Sequence, residues 1–451
     1  MKLRKSRYCF LIKKEDLFLA YTSAGNSFYK ISEFAYDLIA NLDMEEDELE
    51  KAEYGNEIRQ LKDMRLVSTG REDDEAVDLI RLRYLTNSFR KDTIKLTLAP
   101  TLRCNLNCPY CYEKNKPFRM MDEKTCDAVI SFIRNHTESK YLALTWYGGE
   151  PLLGADIIDY FLSKTKELKD IRLTSHSMVT NGTLFKESNL ELFKKYPLNS
   201  VQITLDGLEE THDKRRIRHD GSGTFSTIVE NIGKFAEHCP DTSISIRVNI
   251  DKDNAHEFMG VYGQMKRLFP QKKNLFVYPG ILRQCGGPQW DSPFLANEDI
   301  SRLKQEFVSQ GYPISFPDFA IHGCCATCLT GYVIGPEGEI YKCWEDVGDE
   351  TLVVGNVVDL DYTNMPLLAQ YMLHGSRLME EECMECPLLP ICSNDCPKFR
   401  LSNKLHGSRN ELCCIYKSRD YETLSEWLYK YYLMKNRKRK EGNSQQVSSN
   451  D

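Results

Sequence analysis

Three cysteines, Cys104, Cys108 and Cys111, stand within eight residues of one another in the run TLRCNLNCPYCYEKNKP. Thiolates at this x3, x2 spacing can wrap one cubane of iron and sulfur, and with only three protein ligands one iron stays open to an external chelate. Zinc normally closes its site with four ligands, usually as paired knuckles. No fourth Cys or His lies near this run, so zinc fits it poorly. Ten more cysteines crowd the last third of the chain: Cys324, Cys325, Cys328, Cys343, Cys383, Cys386, Cys392, Cys396, Cys413 and Cys414. The order Cys383-x2-Cys386-x5-Cys392-x3-Cys396 is the densest of these, and a binuclear zinc scaffold is its plainer reading, because Cys-x2-Cys also serves zinc. The scattered Cys9, Cys126, Cys239 and Cys285 read as ordinary buried thiols.

Seventeen cysteines in 451 residues need a use that depends on the compartment. The N-terminus MKLRKSRYCFLIKKEDLF has a basic start and then only five mildly apolar residues, too few for a signal-peptide core. A cytoplasmic location with reduced thiols is therefore expected, and the cysteines are not read as disulfides. The net charge of −7, from 59 Lys+Arg against 66 Asp+Glu, argues against a nucleic-acid partner. No run of 18 apolar residues is present, so no membrane span is expected.

The elements that must hold the first cysteine run follow a strand, loop, helix rhythm from Thr93 onward. Strands are expected at 94–100, 142–149, 173–182, 200–207, 243–250 and 274–282, with helical patterns such as EKTCDAVISFIRN and TFSTIVENIGKFAEH between most of them. Six such units in series predict an α/β fold, a partial (β/α)6 barrel, because parallel neighbours need crossover helices. Chemistry in such a fold collects in the loops after the strands' C-terminal ends. The cysteine run follows the first strand, Gly148-Gly149-Glu150 the second, Thr180-Asn181-Gly182 the third and Thr204-Leu205-Asp206-Gly207 the fourth.

The first ninety residues predict three short strands and small helices, either a winged-helix-like module or a solvated cap on the larger domain, with Ser32 as an N-cap and Phe34, Leu38 and Ile39 on the apolar face behind it. Past Ile314 the pattern dissolves into short strands, loops and cysteines. The expected division is 1–90, 91–310, 311–433 and a disordered tail at 434–451, whose KNRKRKEGNSQQVSSND lacks apolar residues.

The cysteine spacing, its place after the first strand and the aromatic Tyr112 after the third cysteine resemble the radical S-adenosylmethionine (SAM) superfamily. The resemblance implies that the Cys104/Cys108/Cys111 cluster chelates SAM and cleaves it to a 5′-deoxyadenosyl radical, which takes a hydrogen from substrate. It also implies cofactor contacts from Tyr112, Gly148, Gly149, Glu150, Thr180, Asn181 and Thr204, the Gly-Gly-Glu segment meeting the methionine amino group. Thr204 stands where the family often has serine. The segment His212-Asp213-Lys214-Arg215-Arg216 looks familial but is assigned no chemical role, since salt-bridged surface residues explain it equally well.

Cys328-x9-Gly338-x4-Cys343, followed by the Cys383 to Cys396 run and then Cys413-Cys414, resembles the SPASM domain, which holds two auxiliary [4Fe-4S] clusters. By that resemblance Cys328, Cys343 and Cys396, with Cys324 or Cys325 if the site is closed, hold an inner cluster. Cys383, Cys386, Cys392 and a last cysteine hold an outer one. Cys413 is favoured as the last because the family's final ligand commonly precedes x-x-Tyr-Lys. The total would be three [4Fe-4S] clusters plus SAM.

Residues 1–90 are similar in pattern to PqqD-like modules that bind leader peptides by strand addition. The function implied is a radical SAM maturase of a ribosomally made peptide, forming a sulfur-to-carbon thioether. Its expected partners are a precursor peptide with a leader and an electron donor such as flavodoxin or ferredoxin. Carbon–carbon crosslinking and formylglycine formation are the enzymatic alternatives, and a zinc-binding peptide adaptor is the non-enzymatic one. Many sulfatase maturases carry Asp after the cysteine equivalent to Cys343, where this chain has Trp344.

Overall fold

The computed structural model describes residues 1–113, 117–283, 294–313, 324–359, 362–392, 396–413 and 421–447; Cys285 and Cys414 lie outside them. The chain opens with β1 (Lys2–Lys5), β2 (Cys9–Lys14), β3 (Leu17–Thr22), β4 (Ser27–Ile31), α1 (Glu33–Asn41), β5 (Asp43–Glu45), α2 (Gly55–Asp63), β6 (Val67–Ser68) and α3 (Arg71–Ser88). Next come β7 (Thr93–Leu98), α4 (Glu123–Arg134), β8 (Tyr141–Trp146), α5 (Ala155–Thr165), β9 (Arg172–Thr180) and α6 (Glu187–Lys195). They are followed by β10 (Ser200–Leu205), α7 (Glu209–Arg215), α8 (Phe225–His238), β11 (Ser243–Ile250), α9 (Phe258–Leu268), β12 (Leu275–Ile281) and α10 (Asn297–Ser309). The chain ends with β13 (Gly331–Ile334), β14 (Glu339–Tyr341), β15 (Gly355–Asn356), α11 (Met365–His374), α12 (Glu381–Met384), α13 (Pro397–His406) and α14 (Tyr421–Val447).

The chain divides into two compact units, Ser88–Ala296 with Cys324–His374, and Met1–Asn87 with Asn297–Gly323 and Gly375–Asp451. The stretch 311–433 is thereby shared between both. In the first unit β7 to β12 lie side by side in chain order, each parallel to the next, with α4, α5, α6, α8 and α9 in the crossovers. The six strands stand where the apolar runs put them, because a parallel strand is covered on both faces and reads as a short hydrophobic block. β12 pairs only with β11 among the described residues, so the sheet does not close into a ring. On its other side β7 takes β13 as a further parallel neighbour, and β14 and β15 continue antiparallel. A four-residue strand such as β13 carries no alternation of its own that would reveal this pairing.

In the second unit the antiparallel sheet β2-β3-β4 and the small sheet β5-β1-β6 replace the three strands expected. β1, β5 and β6 are two to four residues long, too short to register as a period of two. Ser32 caps α1, its hydroxyl accepting from Ala35 N at 3.1 Å, and Ile39 is fully buried. Phe34 departs from expectation: it is 46% exposed and meets the Tyr54 ring edge-on at 4.6 Å. α14 continues past residue 434 as far as Val447. Its Lys, Arg, Glu and Gln residues have high helix propensity even without an apolar face.

Candidate active site

The loop after β7 carries Cys104, Cys108 and Cys111, and its shape comes from a few backbone bonds. Leu106 N donates to Cys104 Sγ at 3.4 Å, and Cys111 N donates to Cys108 O at 3.2 Å. The loop is seated on the Gly148-Gly149 turn that ends β8. Gly149 N and Glu150 N donate to Thr101 O (3.1 Å) and Arg103 O (2.8 Å). Gly148 has φ of +118°, and a Cβ on Gly149 would stand 2.2 Å from Arg103 O. The close approach that the two glycines allow is therefore to the cysteine loop itself.

Glu150 is fully buried and knits the ends of β8 and β9 together. It accepts from Thr180 Oγ1 (2.8 Å), Asn181 N (2.8 Å) and Leu152 N (3.1 Å). Burial pushes its pKa up, while these donors oppose that shift. Asn181 in turn donates from Nδ2 to Asn105 Oδ1 (2.8 Å) and to Cys104 Sγ (3.8 Å). Thr204 is buried near the end of β10. Tyr112 and Tyr147 join hydroxyl to hydroxyl, and Tyr147 stacks on Trp344 with ring centroids 4.9 Å apart.

His212, Arg215 and Arg216 form a buried network, which corrects the surface reading of that segment. Arg215 pairs with Asp251 (Nη2 to Oδ2, 2.6 Å) and Asp206 (Nε to Oδ2, 3.4 Å), and Arg216 Nη1 lies 3.7 Å from Asp206 Oδ1. Asp206 N donates to His212 Nδ1 at 3.2 Å, which leaves Nε2 to donate to Thr224 Oγ1 at 3.0 Å. Arg216 Nη1 donates to the hydroxyl of Tyr110 at 3.0 Å, so the network reaches the cysteine loop. Arg216 Nε is buried without a hydrogen-bond partner and could bind a carboxylate. The available signal was a run of five charged or imidazole groups, His212 to Arg216, after an Asp-Gly turn, a pattern that sequence alone cannot tell from a solvated helix.

The later cysteines fall in two groups. Cys324, Cys325 and Cys328 belong to the same unit as Cys343. Gly338, with φ of +85°, makes the β13–β14 turn, so the Gly-x4-Cys spacing is one hairpin arm plus a residue. Cys325 Sγ donates to Lys342 O at 3.7 Å, and Lys95 Nζ lies 3.5 Å from Cys328 Sγ. Lys342 is fully buried, its ammonium donating to Cys328 O (2.7 Å) and Gly331 O (2.5 Å) over the Tyr332 ring. Sequence reading missed this lysine.

Cys383, Cys386, Cys392, Cys396 and Cys413 belong to the other unit, Cys396 included. Cys383 Sγ lies 3.6 Å from Glu380 Oε2, which itself pairs with the buried Arg400 at 2.5 Å. Burial pushes the Cys383 thiol up to about 11, with Arg400 opposing and Cys392 adding to the shift, so these two cysteines sense each other. Cys396 is the N-cap residue of α13, and Cys413 O accepts from Asn297 Nδ2 at 3.1 Å. Among the described residues no three Cys, His, Asp or Glu side chains converge closely enough to hold a single metal ion.

The donor set of the first loop fits an anionic iron–sulfur cluster. Burial pushes Cys104 up to about 12 and Cys111 to about 11, so thiolates there need a bound cation, and Arg216 supplies a further positive charge nearby. Residues 98–264 match the family model of the Radical SAM superfamily. The chain carries a radical SAM domain. It is an enzyme, and this family binds a [4Fe-4S] cluster and SAM.

Among curated relatives of this radical SAM enzyme, the cysteine-type anaerobic sulfatase-maturating enzyme of Clostridium novyi (strain NT) is 23% identical over 361 residues. The match covers 72% of this chain and 94% of that protein. The antilisterial bacteriocin subtilosin biosynthesis protein AlbA of Bacillus subtilis is 24% identical over 358 residues, 72% of each chain. Among solved structures, native anSMEcpe with bound AdoMet aligns with a TM-score of 0.59 at 21% identity, over 75% of this chain and 98% of that one. Streptococcus suis SuiB bound to S-adenosylmethionine aligns with a TM-score of 0.51 at 17% identity, over 91% and 99%. The structural likenesses establish the fold. No helix among the described residues is long and apolar enough to cross a membrane.

Proposed function

We propose that this radical SAM enzyme matures a ribosomally made peptide by installing a sulfur-to-carbon thioether. Cys104, Cys108 and Cys111 would hold the SAM-binding cluster, with Arg216 available to the cofactor's carboxylate and Glu150 and Thr180 fixing the loop ends around it. Cys328 and Cys343, with Cys324 or Cys325 if the site is closed, are proposed for an inner SPASM cluster, and Cys383, Cys386, Cys392 and Cys413 for an outer one. When bound, such clusters and SAM supply one-electron cleavage to a 5′-deoxyadenosyl radical and an acceptor for the electron released when the substrate radical closes a bond. The chain's own tasks are to orient the target C–H and to exclude water from the site.

The observation that carries the thioether reading is Trp344. Next to Cys343, it offers a half-exposed indole stacked on Tyr147, not a carboxylate that could take a proton from substrate. Burial holds the phenols of Tyr112 and Tyr147 well above their ordinary range, so neither acts as a base. Glu345 supports the second reading, formylglycine maturation, because its charge lies close enough to Tyr112 and Tyr147 to affect both.

Residues 1–90 are proposed to capture the leader. β4 pairs with β3 on one side only, no other strand lies along it among the described residues, and α3 exposes Leu79, Leu82 and Leu85. A flavodoxin- or ferredoxin-like donor and a cytoplasmic location complete the proposal.

Co-expression with short cysteine-containing peptides encoded beside the gene, followed by mass spectrometry and thiol alkylation, tests it. A thioether removes two hydrogens and leaves one thiol fewer to alkylate. Conversion of a cysteine to an aldehyde that reacts with hydrazine overturns it in favour of formylglycine.

A further inference from the structure

The cysteines Cys383, Cys386 and Cys392 lie some 360 residues from the N-terminal sheet in sequence, yet Cys386 and Cys392 pack against its buried cluster. Phe10, Ile12, Leu19 and Tyr21 of β2 and β3 form one buried cluster with Leu388 and Ile391 and with Leu424 and Leu428 of α14, and Cys386 and Cys392 pack against it, so the cysteine segment and α14 cover this face together. A second cluster joins Tyr8 and α3 to Leu378 and Leu389, with Cys383 and Cys386 against it. Polar contacts repeat the connection. Arg7 pairs with Glu385 (2.8 Å) and donates to Met384 O (3.1 Å), and Ser23 Oγ donates to Pro387 O at 2.6 Å.

The segment that supplies these contacts is a poor scaffold on its own. Between Cys383 and Cys392 it is held by single turns, with Cys386 N on Cys383 O, Leu389 N on Cys386 O and Cys392 N on Leu389 O. A turn of this kind has no ladder and little cooperativity, while a three-stranded sheet needs a covered apolar face to be stable. Buried Arg400 beside Cys383 and the neighbouring Cys392 make the donor set one that suits an anionic thiolate-held cluster.

We propose that a cluster held by Cys383, Cys386 and Cys392 is the strut of the N-terminal sheet, so that occupancy of this site and order in residues 9–31 rise and fall together. The inference rests on the reading of these cysteines as cluster ligands, and it gives the outer site a role in presenting the peptide-capturing module. Metal-binding free energy becomes folding free energy for whatever the ligand loop supports. The coupling is reciprocal: a disordered sheet must weaken cluster retention as much as cluster loss weakens the sheet.

The test is hydrogen–deuterium exchange on the full-length protein, reconstituted anaerobically, comparing wild type with Cys383→Ser/Cys392→Ser and measuring iron on the same samples. No peptide is needed, so the outcome is independent of the leader-binding reading. The expected result is a loss of about four irons per chain, with exchange in residues 9–31 quickened about tenfold or more and the amides of β7 to β12 unchanged. Lower iron with unchanged exchange at 9–31, or with quickening spread equally over the barrel strands, overturns the strut and leaves the cluster assignment standing. Unchanged iron overturns both. In the reciprocal arm, Phe10→Ala/Ile12→Ala should lose iron without any cysteine having been altered, and full iron retention in that variant counts against the coupling.

Discussion

Gly149 has room for a hydrogen and nothing larger. An added Cβ would meet Arg103 O at 2.2 Å, Arg103 C at 2.5 Å and Leu102 O at 2.7 Å, all backbone that cannot swing aside. Gly149→Ala should therefore push the cysteine loop off the end of β8, at a cost of about 2 kcal/mol or more. 5′-Deoxyadenosine formation should fall by at least tenfold with β-sheet circular dichroism retained, and wild-type turnover would show that the loop can move. His176 gives a residue-scale pH effect. Trp146 Nε1 donates to its Nε2 at 2.8 Å, and burial lowers its pKa from the ordinary 6.5 to about 4. The folded state thus binds fewer protons than the unfolded one between those values, so stability is full above about 6.5 and is lost as pH falls toward about 4. At about pH 5 the loss is on the order of 2 kcal/mol. His176→Gln, which can still accept from the indole, should flatten this acid limb in denaturant titrations of the cluster-free protein, and an unchanged limb would assign it to other groups.

At the scale of elements, β2 shows how a sheet edge is closed without another strand. The Tyr421 hydroxyl on α14 accepts from Leu11 N at 2.8 Å and donates to Leu11 O at 2.7 Å. Tyr421→Phe should leave both backbone groups without that partner and cost about 1–3 kcal/mol. Faster exchange at the Leu11 amide would report it, while a variant with wild-type protection there would mean that water replaces the phenol. That β2 needs such a partner could not be read from the sequence, because the contact joins residues 410 positions apart and has no period. The barrel strands could be read, since IKLTLAP and SVQITLDG are apolar blocks ending in turn residues, and their ends bring Cys104, Glu150, Asn181 and Thr204 to one side of the sheet. Arg216 and Lys342 were hidden for the opposite reason. A charged side chain in sequence reads as solvent-facing, and only the carboxylates and carbonyls that surround these two after folding make their burial possible.

Across the whole molecule, thiols that could serve three separate clusters are distributed over two folding units. The SAM-domain loop and the group containing Cys343 belong to one unit, and the group containing Cys383 belongs to the other. Within the first unit the two groups have different supports. Cys104 to Cys111 rest on the β8 turn through backbone bonds from Gly149 and Glu150, whereas Cys328 and its neighbours are held by Lys342 and the β13–β14 hairpin. Removing thiols from the first loop leaves those backbone bonds and the buried Lys342 unchanged. Cys104→Ala/Cys108→Ala/Cys111→Ala should therefore lower iron from roughly twelve to roughly eight per chain and keep a brown colour, with absorption near roughly 400 nm. SAM cleavage should be abolished. An unchanged iron count would refute the first loop as a cluster site, and a colourless variant would mean that the three groups assemble as one cooperative whole instead of on independent supports.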